Sequence, residues 1–164
     1  MDSFNLNVLD IADWIAQRAR QDEDAGDLLT HLKLQKMLYY SQAWVMIFSN
    51  KSLFQNDFEA WAHGPVIRQV WDALAGVGRS PVESVPGGNG YSITEEEILD
   101  TLEEVWGVYG SKTAKALERL SHSERPWLDA RGDLPELAPC TEILPKEAIR
   151  SYYEQRNAAL QQAA

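Results

Sequence analysis

The sequence predicts a mainly α-helical fold. The expected form is a compact single-domain bundle of about six helices around a central apolar helix (about 30–49), with at most a small β-hairpin (about 58–61 with 91–93). Three observations carry that expectation. In the helix that opens with LTHLKLQKMLYYSQAW (residues 29–44), the residues from Leu32 to Phe48 place apolar side chains on almost every side of a helical wheel. The neighbouring segments each show one apolar stripe at helical spacing. Gly, Pro and capping residues punctuate the boundaries between them. With 164 residues, 45% of them hydrophobic, and 6 Trp, 6 Tyr and 4 Phe, the chain can bury one core.

The first helix runs from about Asn7, a capping residue, to Arg20, with Val8, Ile11, Ala12, Ile15 and Ala19 as its stripe. QDEDAGD then breaks the pattern as an acidic loop with a Gly. Thr30 caps the apolar helix and Asn50 ends it. Its polar residues are few: Gln35, Gln42 and Ser49 on one thin stripe, Ser41 alone, and Lys33 and Lys36 in the first turns. A helix so apolar must be the pillar that the others wrap, with only its lysine-bearing turns expected at the surface. Phe58 to Trp61 has weak strand character, and Tyr91 to Ile93 is the expected partner. Gly64-Pro65 is a sharp break, and Pro65 suits the first position of a new helix, VIRQVWDAL. GVGRSPVESVPGGNG reads as the loosest surface loop. Thr94 to Glu97 is a capping box before a helix with Ile98, Leu102, Val105, Trp106 and Tyr109 in its stripe, closed at Gly110. SKTAKALERLSH makes a short helix, Pro126 starts another turn, and Pro145 opens the last helix, which carries Ile149, Tyr152 and Tyr153 on its apolar side. Residues 157–164 form a short tail. No internal repeat or second domain is visible.

The net charge is −10 and the isoelectric point about 4.7. That balance argues against a general nucleic-acid binder and against an anionic membrane surface. It suits a basic protein partner, and it suits plain solubility equally well. Cys140 is the one cysteine, so neither an internal disulfide nor a thiolate zinc site can form. The start MDSFNLNVLDIADW has no signal-peptide pattern, and the apolar run from Met37 to Phe48 is too short and too interrupted to span a bilayer. The expected compartment is the cytoplasm.

Signatures of catalysis are missing. His31, His63 and His122 are far apart, with no HExxH or His-x-His pair, so no metal is expected. Ser121-His122-Ser123 lacks a nucleophile elbow. Gly110-Ser111-Lys112-Thr113 departs from the phosphate-loop pattern and follows a helix rather than a strand. Pro86 to Gly90 reads as a flexible loop. Paired acids such as Glu103 and Glu104, or Asp22 to Asp24, read as solvated faces. The helix after Gly64-Pro65 carries Arg68 alone as a base, too little for a DNA-recognition helix. No catalytic residue and no cofactor is expected, and the chain does not read as an enzyme.

Taken together, LTHLKLQKMLYYSQAW, LFQNDFEAWAHGPVIRQVW, LSHSERPW and ILPKEAIRSYY resemble the Panacea domain of the SocA-like antitoxins, also called phage-associated GepA-like proteins. The resemblance runs from about residue 7 to 154, and the domain so identified occupies residues 1–164. The matched positions are Leu34, Gln35, Lys36, Leu38, Tyr39, Tyr40 and Trp44; then Glu59, Ala60, Trp61, Gly64, Pro65 and Val66; then His122, Ser123, Glu124, Pro126 and Trp127. The resemblance implies an antitoxin that neutralises a protein toxin by direct contact. Toxins of such systems include alarmone-synthetase-like enzymes that block translation. Delivery of the toxin to the ClpXP protease is the alternative role in the family, and a hydrolase with an unrecognised site is a further alternative. Most matched residues are expected to be scaffold. Lys33, Lys36, Tyr40, Glu59 and His122 are the candidates whose polar tips would meet a partner, because charged and aromatic tips suit interface hot spots.

Overall fold

The structure, a computed structural model, describes residues 1–22 and 28–164; most of the acidic QDEDAGD loop lies outside the described residues. Among those described, seven α-helices and three short strands follow the chain. They are α1 (Val8–Gln21), α2 (His31–Ser49), β1 (Phe58–Trp61), β2 (Gly64–Val66), α3 (Arg68–Ala73), α4 (Glu96–Tyr109), α5 (Ala114–His122), α6 (Arg125–Arg131), β3 (Ile143–Leu144) and α7 (Lys146–Ala163). The mainly helical expectation holds, with one helix more than the sequence suggested.

Local chemistry accounts for several boundaries. The side chain of Asn7 accepts the amide of Leu9 at the head of α1. That of Thr30 accepts the amide of Lys33 at the head of α2. Asn50 closes α2 in the left-handed region at φ 54°, a conformation that Asn tolerates better than most residues. From Lys33 to Met46 every residue of α2 is buried. Helices α1, α4, α5 and α7 and strand β2 all pack on it. The pillar is real, but its lysines do not reach the surface. Lys33 is 0% and Lys36 1% exposed.

The sheet departs from expectation. Strand β1 lies between β2 and β3, antiparallel to both. Glu59 faces Val66 across one ladder and Ile143 across the other. Pro65 therefore sits in an edge strand, where its missing N–H is tolerated, and α3 begins only at Arg68. Residues 90–92 form a 3-10 turn instead of a strand. The Asp13 carboxylate explains that turn. It accepts the amides of Val85 and Gly90 at 3.0 and 2.8 Å, while Asp10 accepts the amide of Asn89 and the hydroxyl of Ser92. The Gly/Pro-rich segment is thus packed onto α1: a Cβ on Gly88 would lie 2.2 Å from the carbonyl oxygen of Leu9. The capping box also fails. Glu95 takes the N-cap position of α4 without a side-chain bond, and Glu97 instead accepts the hydroxyl of Ser49 at the end of α2.

The two-residue turn between β1 and β2 ends at Gly64, whose φ is +108°. A Cβ there would lie 2.5 Å from Cε of the buried Lys36 and 2.8 Å from Oγ of Ser121. Gly64→Ala is expected to lower the unfolding free energy by about 2–4 kcal/mol, from backbone strain and a clash inside the core. Urea denaturation measures this, and a loss below about 1 kcal/mol would contradict the packing described.

Candidate functional site

The matched sequence segments converge inside the molecule. Their centre is Glu124, the N-cap residue of α6, which is 1% exposed. Its carboxylate accepts the hydroxyls of Tyr39 at 3.0 Å, Tyr153 at 3.0 Å and Tyr40 at 3.5 Å. Tyr39 and Tyr40 come from α2 and Tyr153 from α7, so a single acid joins three helices. The Tyr40 ring stacks on Tyr109 of α4, with centroids 4.1 Å apart. The hydroxyl of Tyr109 accepts the indole N–H of Trp44 at 3.0 Å. Burial lifts the Glu124 carboxyl from 4.5 to about 7, against the pull of the three hydroxyls and of Arg156. Burial and the Glu124 charge together push all three tyrosines upward.

A second polar centre surrounds Lys36. Its ammonium donates to the carbonyl of Pro65 at 3.3 Å, in the space that Gly64 leaves open. Burial lowers its pKa from 10.5 to about 7, with Glu118 opposing. Lys33 donates to the carbonyl of Gly110 at 2.8 Å and lies 5.9 Å from the centre of the Trp106 ring. Gln35 reads both groups of one residue, accepting the amide of Ile67 at 2.9 Å and donating to its carbonyl at 3.3 Å. One helical stripe further along, Gln42 accepts the amide of Leu53 and donates to the carbonyl of Phe54. The thin polar stripe of α2 therefore holds irregular backbone in place.

The remaining matched residues tie α6 to the sheet. The indole N–H of Trp127 donates to the carbonyl of Trp61 at 2.8 Å. Arg131 donates to the carbonyls of Ala60, Pro135, Glu136 and Ala138, under the Trp127 ring. Glu59 is bidentate to Arg68 at 2.9 and 3.0 Å, and Arg68 lies over Trp61. The ring of His122 stacks on Trp127, and burial lowers its pKa. Leu34 is fully buried, and Pro126 is buried near the head of α6.

Of the five side chains expected at a partner surface, Lys33, Lys36 and Tyr40 lie in the interior, and Glu59 is buried beneath Arg68. The His122 side chain is 13% exposed. Sequence reasoning missed Tyr109, Tyr153 and Arg131 as members of this network. Tyr153 was visible only as part of an apolar stripe, and nothing local marked Arg131. Among the described residues, no group of three or more His, Cys, Asp or Glu is placed to hold a metal, and no helix is long and apolar enough to cross a membrane.

A family model described as "Antitoxin SocA-like, Panacea domain" matches residues 34–128, more than half of the chain. That span begins in α2 and ends in α6, and it holds Tyr39, Tyr40, Gly64 and Glu124 alike. No curated protein and no solved structure matches the chain.

Two of the buried ionisable groups, Glu124 and Lys36, impose opposite pH dependences. Glu124 has a raised pKa in the fold, so its contribution to stability is full below about pH 4.5 and is lost as pH rises through about 7. Lys36 has a depressed pKa, so the unfolded chain binds the extra proton and stability rises between about pH 7 and 10.5. The effect is on the order of 3 kcal/mol for Glu124 and on the order of 5 kcal/mol for Lys36. Urea unfolding across pH should show Glu124→Gln removing the acidic-side fall and Lys36→Met removing the alkaline-side rise. Glu124→Ala leaves three buried hydroxyls without their acceptor and should cost about 3–5 kcal/mol, more than Glu124→Gln. Equal losses for the two variants would show that the carboxyl does not organise the hydroxyls.

Proposed function

Because the chain belongs to the SocA-like, Panacea-domain family of antitoxins, we propose that it neutralises a cognate protein toxin by direct protein–protein contact. The family match over residues 34–128 is the observation that carries this reading. The net charge of −10 supports it, since an acidic surface speeds encounter with a basic toxin. So does the use of the matched polar residues: they hold the fold together, which suits a rigid binding module better than a catalyst. The toxin class that the family resemblance suggests is a translation inhibitor of the alarmone-synthetase kind. Neutralisation then proceeds by occluding or distorting the toxin's active site, and the chain acts stoichiometrically.

Co-expression with the product of the neighbouring gene tests the proposal. The expected outcome is loss of that product's toxicity and a co-purifying complex. A neighbour that is harmless alone, or the absence of any complex, would refute it. Toxin half-life separates occlusion from delivery to a protease. Occlusion predicts the same half-life with and without ClpXP, whereas a longer half-life in its absence would assign the adaptor role.

A further inference from the structure

The second half of α7, the last turns of α2 and the last turns of α4 enclose an open groove of about 190 Å³. Its floor is Trp44 and Tyr109, and its rims are Phe48, Val108 and Leu160, with Glu104 on one wall. Phe48 is 54%, Val108 59% and Leu160 54% exposed. The α-helices described expose no other large apolar side chain; the rest of the exposed ones sit on loops, the 3-10 turn or β3. Helical stripes elsewhere are spent on the core, whereas here three helices leave apolar groups together in water, as binding patches do.

The charge around the groove indicates what covers it. Helix α4 carries Glu96, Glu97, Asp100, Glu103 and Glu104, all exposed, and no Lys or Arg. Glu103 pairs with Arg18 and Glu97 bonds Ser49. Glu104, at the groove itself, has no ion-pair partner among the described residues. On the α7 side Arg150 is held by Glu154 and Asn50, and Arg156 feels the tyrosines and Glu124 behind the floor. A second copy of the chain would bring one acidic α4 against another, which disfavours self-association.

We propose that this groove docks an amphipathic helix of the toxin, one that seats an apolar or aromatic side chain between Phe48, Val108 and Leu160 and sets Lys or Arg against Glu104. The proposal rests on the antitoxin reading and names its contact surface. The space suits a benzene-sized group, and helix-in-groove docking through apolar anchors is a recurring recognition mode. Residues 158–163 of α7 are exposed on every side and form a wall that a docked helix would bury.

The test uses the purified full chain, its toxin, and the variants Val108→Glu, Leu160→Glu and Glu104→Lys, with Tyr91→Glu as a control on a remote exposed site. All four positions are exposed, and circular dichroism should show unchanged folding. Both apolar variants should weaken toxin binding at least about tenfold and lose rescue of growth, while the control behaves as wild type. Glu104→Lys should weaken binding and flatten its salt dependence. Wild-type affinity in both apolar variants, with rescue by the wild-type chain intact, would overturn the groove and leave the antitoxin reading standing. An unchanged salt dependence in Glu104→Lys would overturn the basic flank. Failure of the wild-type chain to rescue would overturn both readings. A wild-type dimer by light scattering that Leu160→Glu converts to monomer would put a second copy in the groove instead, against the proposal.

Discussion

Because α2 is buried without interruption from Lys33 to Met46, each polar side chain on it must find a partner; Ser41 bonds the Met37 carbonyl of its own helix, and the others are answered by distant parts of the chain. An unanswered buried donor costs about 1–3 kcal/mol, and a buried charge far more. The answers come from almost everywhere. Lys33 reaches the end of α4, Gln35 the start of α3, Lys36 strand β2, Tyr39 and Tyr40 the head of α6, and Gln42 the segment before β1. One helix thereby sets the position of most other elements, and apolar packing follows the same geometry.

Glu124 and Lys36 are two places where this arrangement buries an ionisable group at a penalty. Each is held close to neutrality by burial, one from the acidic side and one from the basic side. Such centres contribute less to stability than well-packed apolar groups of the same volume would. What they provide is direction. Three hydroxyls that must point at one carboxyl admit one packing of α2, α6 and α7, and a buried amine that needs the space over Gly64 admits one placement of the β1–β2 turn. A scaffold specified in this way can leave its surface free for recognition. The groove of Phe48, Val108 and Leu160 lies directly over the Tyr109–Trp44 edge of that scaffold, so its walls are rigidly backed.

Features set by near neighbours were legible in the sequence. The caps at Asn7 and Thr30, the stop at Asn50 and the strand at 58–61 all depend on residues within a few positions, and a helix apolar on nearly every side had to be central. Features set by distant neighbours were not. The second partner of β1 is Ile143–Leu144, too short to show an alternating pattern. Lys33 and Lys36 look like surface residues until the carbonyls of Gly110 and Pro65 fold over them. The loop at 78–90 looks loose because Asp10 and Asp13, its anchors, belong to the first helix. The groove was hidden for the same reason: its three rim residues come from three helices, and none stands out in the sequence motifs.

The family's matched residues form an internal frame, and the proposed contact surface lies on exposed residues outside it. Hydrogen exchange on the chain, free and bound to its toxin, tests this arrangement most directly. Amides of residues 33–46 and 124–131 are expected to be strongly protected already in the free chain. New protection on binding should then concentrate at 104–109 and 156–163. Rapid exchange at 33–46 in the free chain that slows only when the toxin is added would contradict it, and would make the matched segment itself the contact surface.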